Sequence, residues 1–144
     1  MSLARFQKRM VIRAKVLPGN AAKLQRKVAL AIDQNIVLAT PVDTGRARSN
    51  WIVKSGAPST SLGDAYIEGE EGSTAGANAN AALAQARAAI LLHRVGPIHI
   101  TNNLPYIAVL NDGSSDQAPK NFVENGVRTG TAQVLGRRIR ITGP

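Results

Sequence analysis

Thr40-Pro41-Val42-Asp43-Thr44-Gly45-Arg46-Ala47-Arg48-Ser49-Asn50-Trp51 holds more structural information than any other short stretch of the chain. Pro41 disfavours helical geometry at Thr40, so a helix arriving from the N-terminal side must stop there. Asp43 can accept hydrogen bonds from the backbone just beyond it, and Gly45 can take positive φ, which makes Pro41 to Gly45 a turn. Residues 46–54 then alternate. Ala47, Ser49, Trp51 and Val53 fall on one side, and Arg46, Arg48, Asn50 and Lys54 on the other. That period of two predicts a strand with Trp51 on its buried face and three cations on its outer face.

Upstream of the turn, Leu24, Val28, Ala31, Ile32, Ile36 and Ala39 recur at three- and four-residue steps and predict a helix from about Ala21 to Ala39. Asn20 can cap its start, and Pro18-Gly19 separates it from Met10 to Leu17, whose β-branched Val11, Ile12 and Val16 predict a strand or an irregular arm. Downstream, residues 55–80 are rich in Ser, Gly, Ala and acid and predict a mobile loop over about 56–78, or a hairpin around Tyr66 and Ile67. An Ala-rich helix is expected from about Asn78 to Arg94, ended by Gly96-Pro97. Short strands are expected at Ile98 to Thr101 and Tyr106 to Leu110, then a last helix over about Asn121 to Leu135, weakened by Gly126 and Gly130. The tail Arg137-Arg138-Ile139-Arg140-Ile141 alternates like an edge strand or a docking arm.

These elements describe one α+β domain over residues 1–144: a small, mainly antiparallel sheet against a long N-terminal helix and one or two further helices, with docking arms at both termini. A chain of 144 residues suits a single core and buries roughly 68–70% of its unfolded surface without a staple. There is no Cys, which excludes disulfides, a thiolate nucleophile and Cys-ligated metal. Apolar runs at Val28 to Ala39 and Ala81 to Leu92 are interrupted by polar residues and fall short of a membrane span, and the first residues carry no export signal.

The formal net charge is +9, with 18 basic and 9 acidic residues, and it is unevenly distributed. Residues 1–54 carry 11 basic and 2 acidic groups, residues 55–116 carry 2 and 6, and residues 117–144 carry 5 and 1. A basic start and end around an acidic middle can pair with copies of itself as well as with nucleic acid. Arg outnumbers Lys 12 to 6, which suits bidentate contacts to phosphate or carboxylate. Five aromatic residues are too few for a base-stacking platform, so the charge points to backbone or acidic-surface contact.

Motifs for catalysis are weak. Asp43-Thr44-Gly45 matches the short signature of aspartic proteases, and Val134-Leu135-Gly136-Arg137 is loosely similar to their second motif. That chemistry needs two carboxylates sharing a proton, hence a dimer here, with the Asp at a strand end. Instead Pro41 precedes it at a helix end, and Arg46 would sit beside the dyad. His93 and His99 straddle a Gly-Pro break without a nearby acid, so no metal site is expected. Gly69 to Gly76 lacks the Lys of a phosphate loop and carries two Glu, and Ser114-Ser115 has no nucleophile elbow. No catalytic residue, cofactor or metal is expected.

Three stretches in order carry a resemblance. Thr40 to Trp51 resembles the "T/A-P-V-D-T-G-x-L/A-R-x-S/N" turn of the neck and tail-completion proteins of tailed bacteriophages, with Pro41, Asp43 and Gly45 matching. Ile100 to Leu110, with Asn103, Pro105 and Tyr106, resembles that family's "N-N-x-P-Y-A-x-x-L" segment. Gly113-Ser114-Ser115-Asp116-Gln117-Ala118-Pro119 is similar to its "G-x-S-x-Q-A-P", matching at Gly113, Ser115, Gln117 and Pro119. The family usually has Glu where this chain has Asn111, and often Gly where it has Asn121.

The resemblance implies a non-enzymatic virion protein of the head–tail junction, made in the host cytoplasm. It would form a homo-oligomeric ring between portal or adaptor and tail, around the path of the double-stranded DNA. Candidates for facing that path or a neighbouring subunit are Arg46, Arg48, Lys54, Arg137, Arg138 and Arg140, with sequence-independent phosphate contacts. Gly69 to Gly76 and Arg137 to Arg140 would order on contact with neighbouring rings. The charge alone would equally suit a cytosolic basic nucleic-acid-binding module.

Overall fold

The computed structural model describes residues 3–139. Among them the order is α1 (Leu3–Ala39), α2 (Arg46–Ser49), β1 (Ile52–Ser55), α3 (Ala75–Leu92), β2 (Ile98–Thr101), α4 (Ile107–Asn111) and α5 (Phe122–Ile139). The class is α+β, as the sequence implies. The sheet is smaller than a meander: β1 and β2 pair antiparallel, Ile52 opposite Thr101 and Ser55 opposite Ile98.

Four elements differ from the sequence reading. The first helix does not start at Ala21 but runs unbroken from Leu3 through Pro18, so Asn20 is internal and Met10 to Leu17 is helical. Leu, Ala, Arg, Gln, Lys and Met, which dominate residues 3–17, are strong helix formers and outweigh three β-branched residues. Proline's fixed φ fits a helix, and Pro18 forfeits one backbone hydrogen bond there. Residues 46–49 form one helical turn rather than the start of a strand, closed by Ser49 N–H to Gly45 O and Asn50 N–H to Arg46 O.

In place of a strand at Tyr106 to Leu110 the chain forms α4, Ile107–Asn111, capped by Tyr106, because Pro105 suits a helix entry and Leu104, Ile107 and Leu110, three residues apart, turn one side to the core. The last helix continues to Ile139, so Arg137 and Arg138 lie in α5 rather than in an edge strand; Arg140 lies outside the described residues.

The core forms around the C-terminal half of α1. Ile36, Val37, Trp51, Ala79, Ala82, Ala118 and Phe122 make one cluster, and Ala29, Val53, Ala86 and Ile90 continue it towards the sheet. Small alanines on α3 let that helix approach α1 and β1 closely, which is why an element with few large side chains still packs. On the other flank of α1 the glycines of α5 do the same. A β-carbon on Gly130 would lie 2.6 Å from Ile32 Cα, and one on Gly126 would lie 2.6 Å from Ile36 Cγ1. These two glycines, which lower helix propensity, therefore set the spacing of α5 on α1.

Asp33 lies on the buried stripe of α1, one turn from both Ala29 and Val37, with 1% of its surface exposed and no partner for either carboxylate oxygen. Burial pushes its carboxyl up to about 7. A carboxyl raised in the folded state contributes its full stability below about pH 4, and that contribution is lost as pH climbs through about 7.

Gly130→Ala should lower stability by about 2 kcal/mol or more in a denaturant titration, despite a propensity gain of ~1 kcal/mol. Gly136→Ala on the same helix, where a β-carbon meets nothing within 4 Å, should gain up to ~1 kcal/mol. Asp33→Asn should match the parent chain near pH 4 and exceed it by roughly 2–4 kcal/mol at pH 8, measured as the difference between their pH–stability curves.

Candidate functional site

The turn after α1 is where the sequence concentrates its polar residues, and the fold gathers them there. Gly45 has φ +84°, and a β-carbon there would collide with the side-chain amide of Asn78, so only glycine fits. From it α2 returns the chain under α3. Ser49 Oγ donates to Asn78 Oδ1 at 2.8 Å, Ile67 N–H donates to the same oxygen at 2.8 Å, and Asn78 Nδ2 donates to Ile67 O at 2.8 Å and to Thr74 Oγ1 at 2.9 Å. Asn78 is fully buried with all its capacity used, so it fastens α2, the 60s segment and the first turn of α3 together. Trp51 is buried, as expected, and its Nε1–H donates to Thr40 Oγ1 at 2.8 Å, while Thr40 donates to Ile36 O.

The two distant family-like stretches meet at this turn. Pro41, Asp43, Gly45, Tyr106, Ser115 and Gln117 all line one cleft of about 310 Å³. Val42 N–H donates to Gln117 Oε1 at 2.8 Å across its wall. Asn102 Nδ2 donates to Ala47 O at 2.9 Å, and Asn103 Nδ2 donates to Ser59 O and Ser61 O, so the second stretch also holds α2 and the segment after β1. Gln117 N–H donates to Ser115 Oγ, shaping the short turn from Gly113, and Pro119 borders a groove shared with Arg48. Tyr106, the residue that caps α4, is 39% exposed and forms part of the cleft.

The expected strip of cations is divided by the same geometry. Arg48 donates to Leu38 O and Thr40 O at the end of α1 and to Ala75 O at the start of α3. The first two are carbonyls that the C-terminal end of a helix leaves unsatisfied, and the third ties that end to α3, so Arg48 works as a clamp inside the chain, and partial burial lowers its pKa. Arg46 donates to Gly63 O at 3.0 Å and stands 3.7 Å from Asp64. Lys54 is exposed on β1, opposite His99. Arg46 and Arg48 are thus on α2 and engaged, and Lys54 is on the strand.

Residues 56–74 are irregular, with no hairpin at Tyr66 and Ile67, and α3 begins at Ala75 inside the stretch expected to be loop. Asp43 O accepts from Gly72 N at 2.8 Å, and Asp43 Oδ1 accepts from Glu71 N at 3.2 Å. Asp43 is exposed and structural here, without a second carboxylate among these contacts. Asn111 accepts from Val123 N and donates to Glu124, which holds that carboxyl below its ordinary range and ties α4 to the start of α5. Asn121 takes φ +60°, a conformation that Asn tolerates better than other side chains.

His93 forms a second polar centre that the sequence does not announce. Its Nδ1 is 2.7 Å from Ser55 Oγ and its Nε2 is 2.8 Å from Gln25 Oε1, while Arg26 donates to its carbonyl. It joins α1, β1 and the end of α3. Among the described residues no cluster of His, Cys, Asp or Glu could hold a metal ion, and no helix is long and apolar enough to cross a membrane.

No family model, curated protein or solved structure matches the chain.

Gln117→Ala leaves the Val42 N–H without its partner and should cost about 1–2 kcal/mol in chemical denaturation. Arg48→Lys should not recover the loss caused by Arg48→Ala, since one ammonium cannot reach three carbonyls set by a planar fork.

Proposed function

We propose that this chain is a structural subunit of the head–tail junction of a tailed bacteriophage. It acts without catalysis, as one copy in a ring between portal or adaptor and tail. The observation that carries the reading is the meeting of the three family-like stretches. The second and third begin some sixty and some seventy residues after the first, yet all three line one cleft, and the first and third share the Val42–Gln117 hydrogen bond. Residues that match a family's pattern at separate places in a chain and converge in space behave as one unit, as a common fold requires. The left-handed backbone at Asn121, where that family often has Gly, fits the same reading.

The electrostatics agree with a conduit rather than a reader. Arg48, one of the first candidates for the DNA path, donates both terminal nitrogens to carbonyls of its own chain, and Arg46 donates its Nε to Gly63 O. What remains for DNA is diffuse positive charge, which contacts phosphates without regard to sequence and releases them easily as salt rises. A molecule that DNA must slide past requires such loose contact.

The purified chain should form closed rings, alone at high concentration or with its portal or adaptor partner, visible by mass photometry. Its affinity for duplex DNA should be weak, indifferent to sequence and reduced by salt. A strict monomer binding DNA at micromolar affinity or better would overturn the assignment in favour of the nucleic-acid module.

A further inference from the structure

Two surfaces at opposite ends of α3 complement one another. At its C-terminal end Leu91, Leu92 and Val95 are exposed, Leu92 by 77% and Val95 by 84%. Leu91 and Val95 form one wall of an open groove of about 920 Å³ whose other wall is Ala21 and Ala22 of α1, and Arg26 and Arg94 border it. Large apolar side chains this exposed, side by side and rimmed with cations, mark a contact surface. At the N-terminal end of α3 the irregular segment displays Leu62, Tyr66 and Ile67, each about half exposed, among the exposed acids Asp64, Glu68, Glu70 and Glu71. This second surface is apolar with an acidic rim.

Both surfaces are anchored to α3. Asn78 in its first turn holds Ile67 on both sides, and Leu91 and Leu92 are its last residues. An 18-residue helix is ~27 Å long, so the two surfaces stand a helix length apart and do not cover each other within one chain. Pairing either with its own copy across a two-fold axis would set like charges together. Pairing one with the other, between copies, matches apolar to apolar and base to acid.

We infer that the groove of Leu91, Val95, Arg26 and Arg94 receives the Tyr66–Ile67 segment and its acidic rim from a second copy of this chain. The contact is head-to-tail: each copy offers one surface and uses the other, and such contacts close into a ring when the rotation per subunit permits. This rests on the proposed ring and names the interface that makes it. It also assigns the acidic middle of the chain to a neighbouring subunit rather than to solvent.

Reciprocal charge exchange tests it. Arg94→Glu with Val95→Asp changes two exposed groove residues, the first of which also donates to Leu91 O and His93 O, and Glu68→Lys with Glu70→Lys changes only the exposed rim. Thermal melts verify that each variant folds, with Leu91→Ser as a milder groove change. Each altered surface should weaken self-association roughly 100-fold in sedimentation and mass photometry, since like charges then face each other. All four substitutions in one chain should restore it to within a few-fold of the parent. Rings of unchanged strength in either charge variant would overturn this interface and leave the ring reading standing. A parent chain that stays monomeric alone at every concentration would also overturn it, while ring formation with the portal or adaptor would still bear on the head–tail assignment.

Discussion

The chain leaves its longest helix at a buried place, and everything downstream depends on how that exit is satisfied. A helix end offers carbonyls with no partner, and at the end of α1 two of them, Leu38 O and Thr40 O, are met by Arg48 from the next element. The turn itself offers Val42 N–H and Asp43 O, met by Gln117 and by Gly72 N–H. Each of these bonds reaches a different part of the sequence, so satisfying one exit draws in α2, the start of α3 and the segment before α5. Buried polar groups of this kind stabilise only when complete, which makes the junction a specification of the fold as much as a source of stability.

Much of this was legible in sequence because it is local. Pro41 and Gly45 announced the turn, the apolar spacing of Leu24 to Ala39 announced the buried half of α1, and the burial of Ala47, Ser49, Trp51 and Val53 followed from alternation. The backbone beneath that alternation was not legible. Residues 46–49 are helical because Ser49 and Asn50 bond back to Gly45 and Arg46, and Asn50 is buried among positions that period two places outside. The remainder of α1 was hidden by Pro18, a residue that signals a break far more often than it permits continuation.

The site was legible in its residues and not in its roles. Gly45, Gln117 and Tyr106 were singled out, and they do meet. Arg46 and Arg48 were singled out for their charge, yet their work is to donate hydrogen bonds within the chain, which composition cannot reveal. Asn78 was named only as a helix start and His93 was weighed only as a metal ligand, since the hydrogen-bonding role of either shows only once the elements around it are known. Gly126 and Gly130 read as weak points of a helix and are its closest contacts with α1.

In the proposed function the chain matters through the neighbours it would hold. Engaged arginines, a cleft closed by two distant stretches and paired surfaces at the two ends of α3 all suit a repeated unit rather than a catalyst. Cryo-electron microscopy of purified virus particles tests that idea most directly. The account predicts an annulus of density between portal and tail into which residues 3–139 fit in repeated copies. A vertex that is complete and infectious without this chain would contradict it.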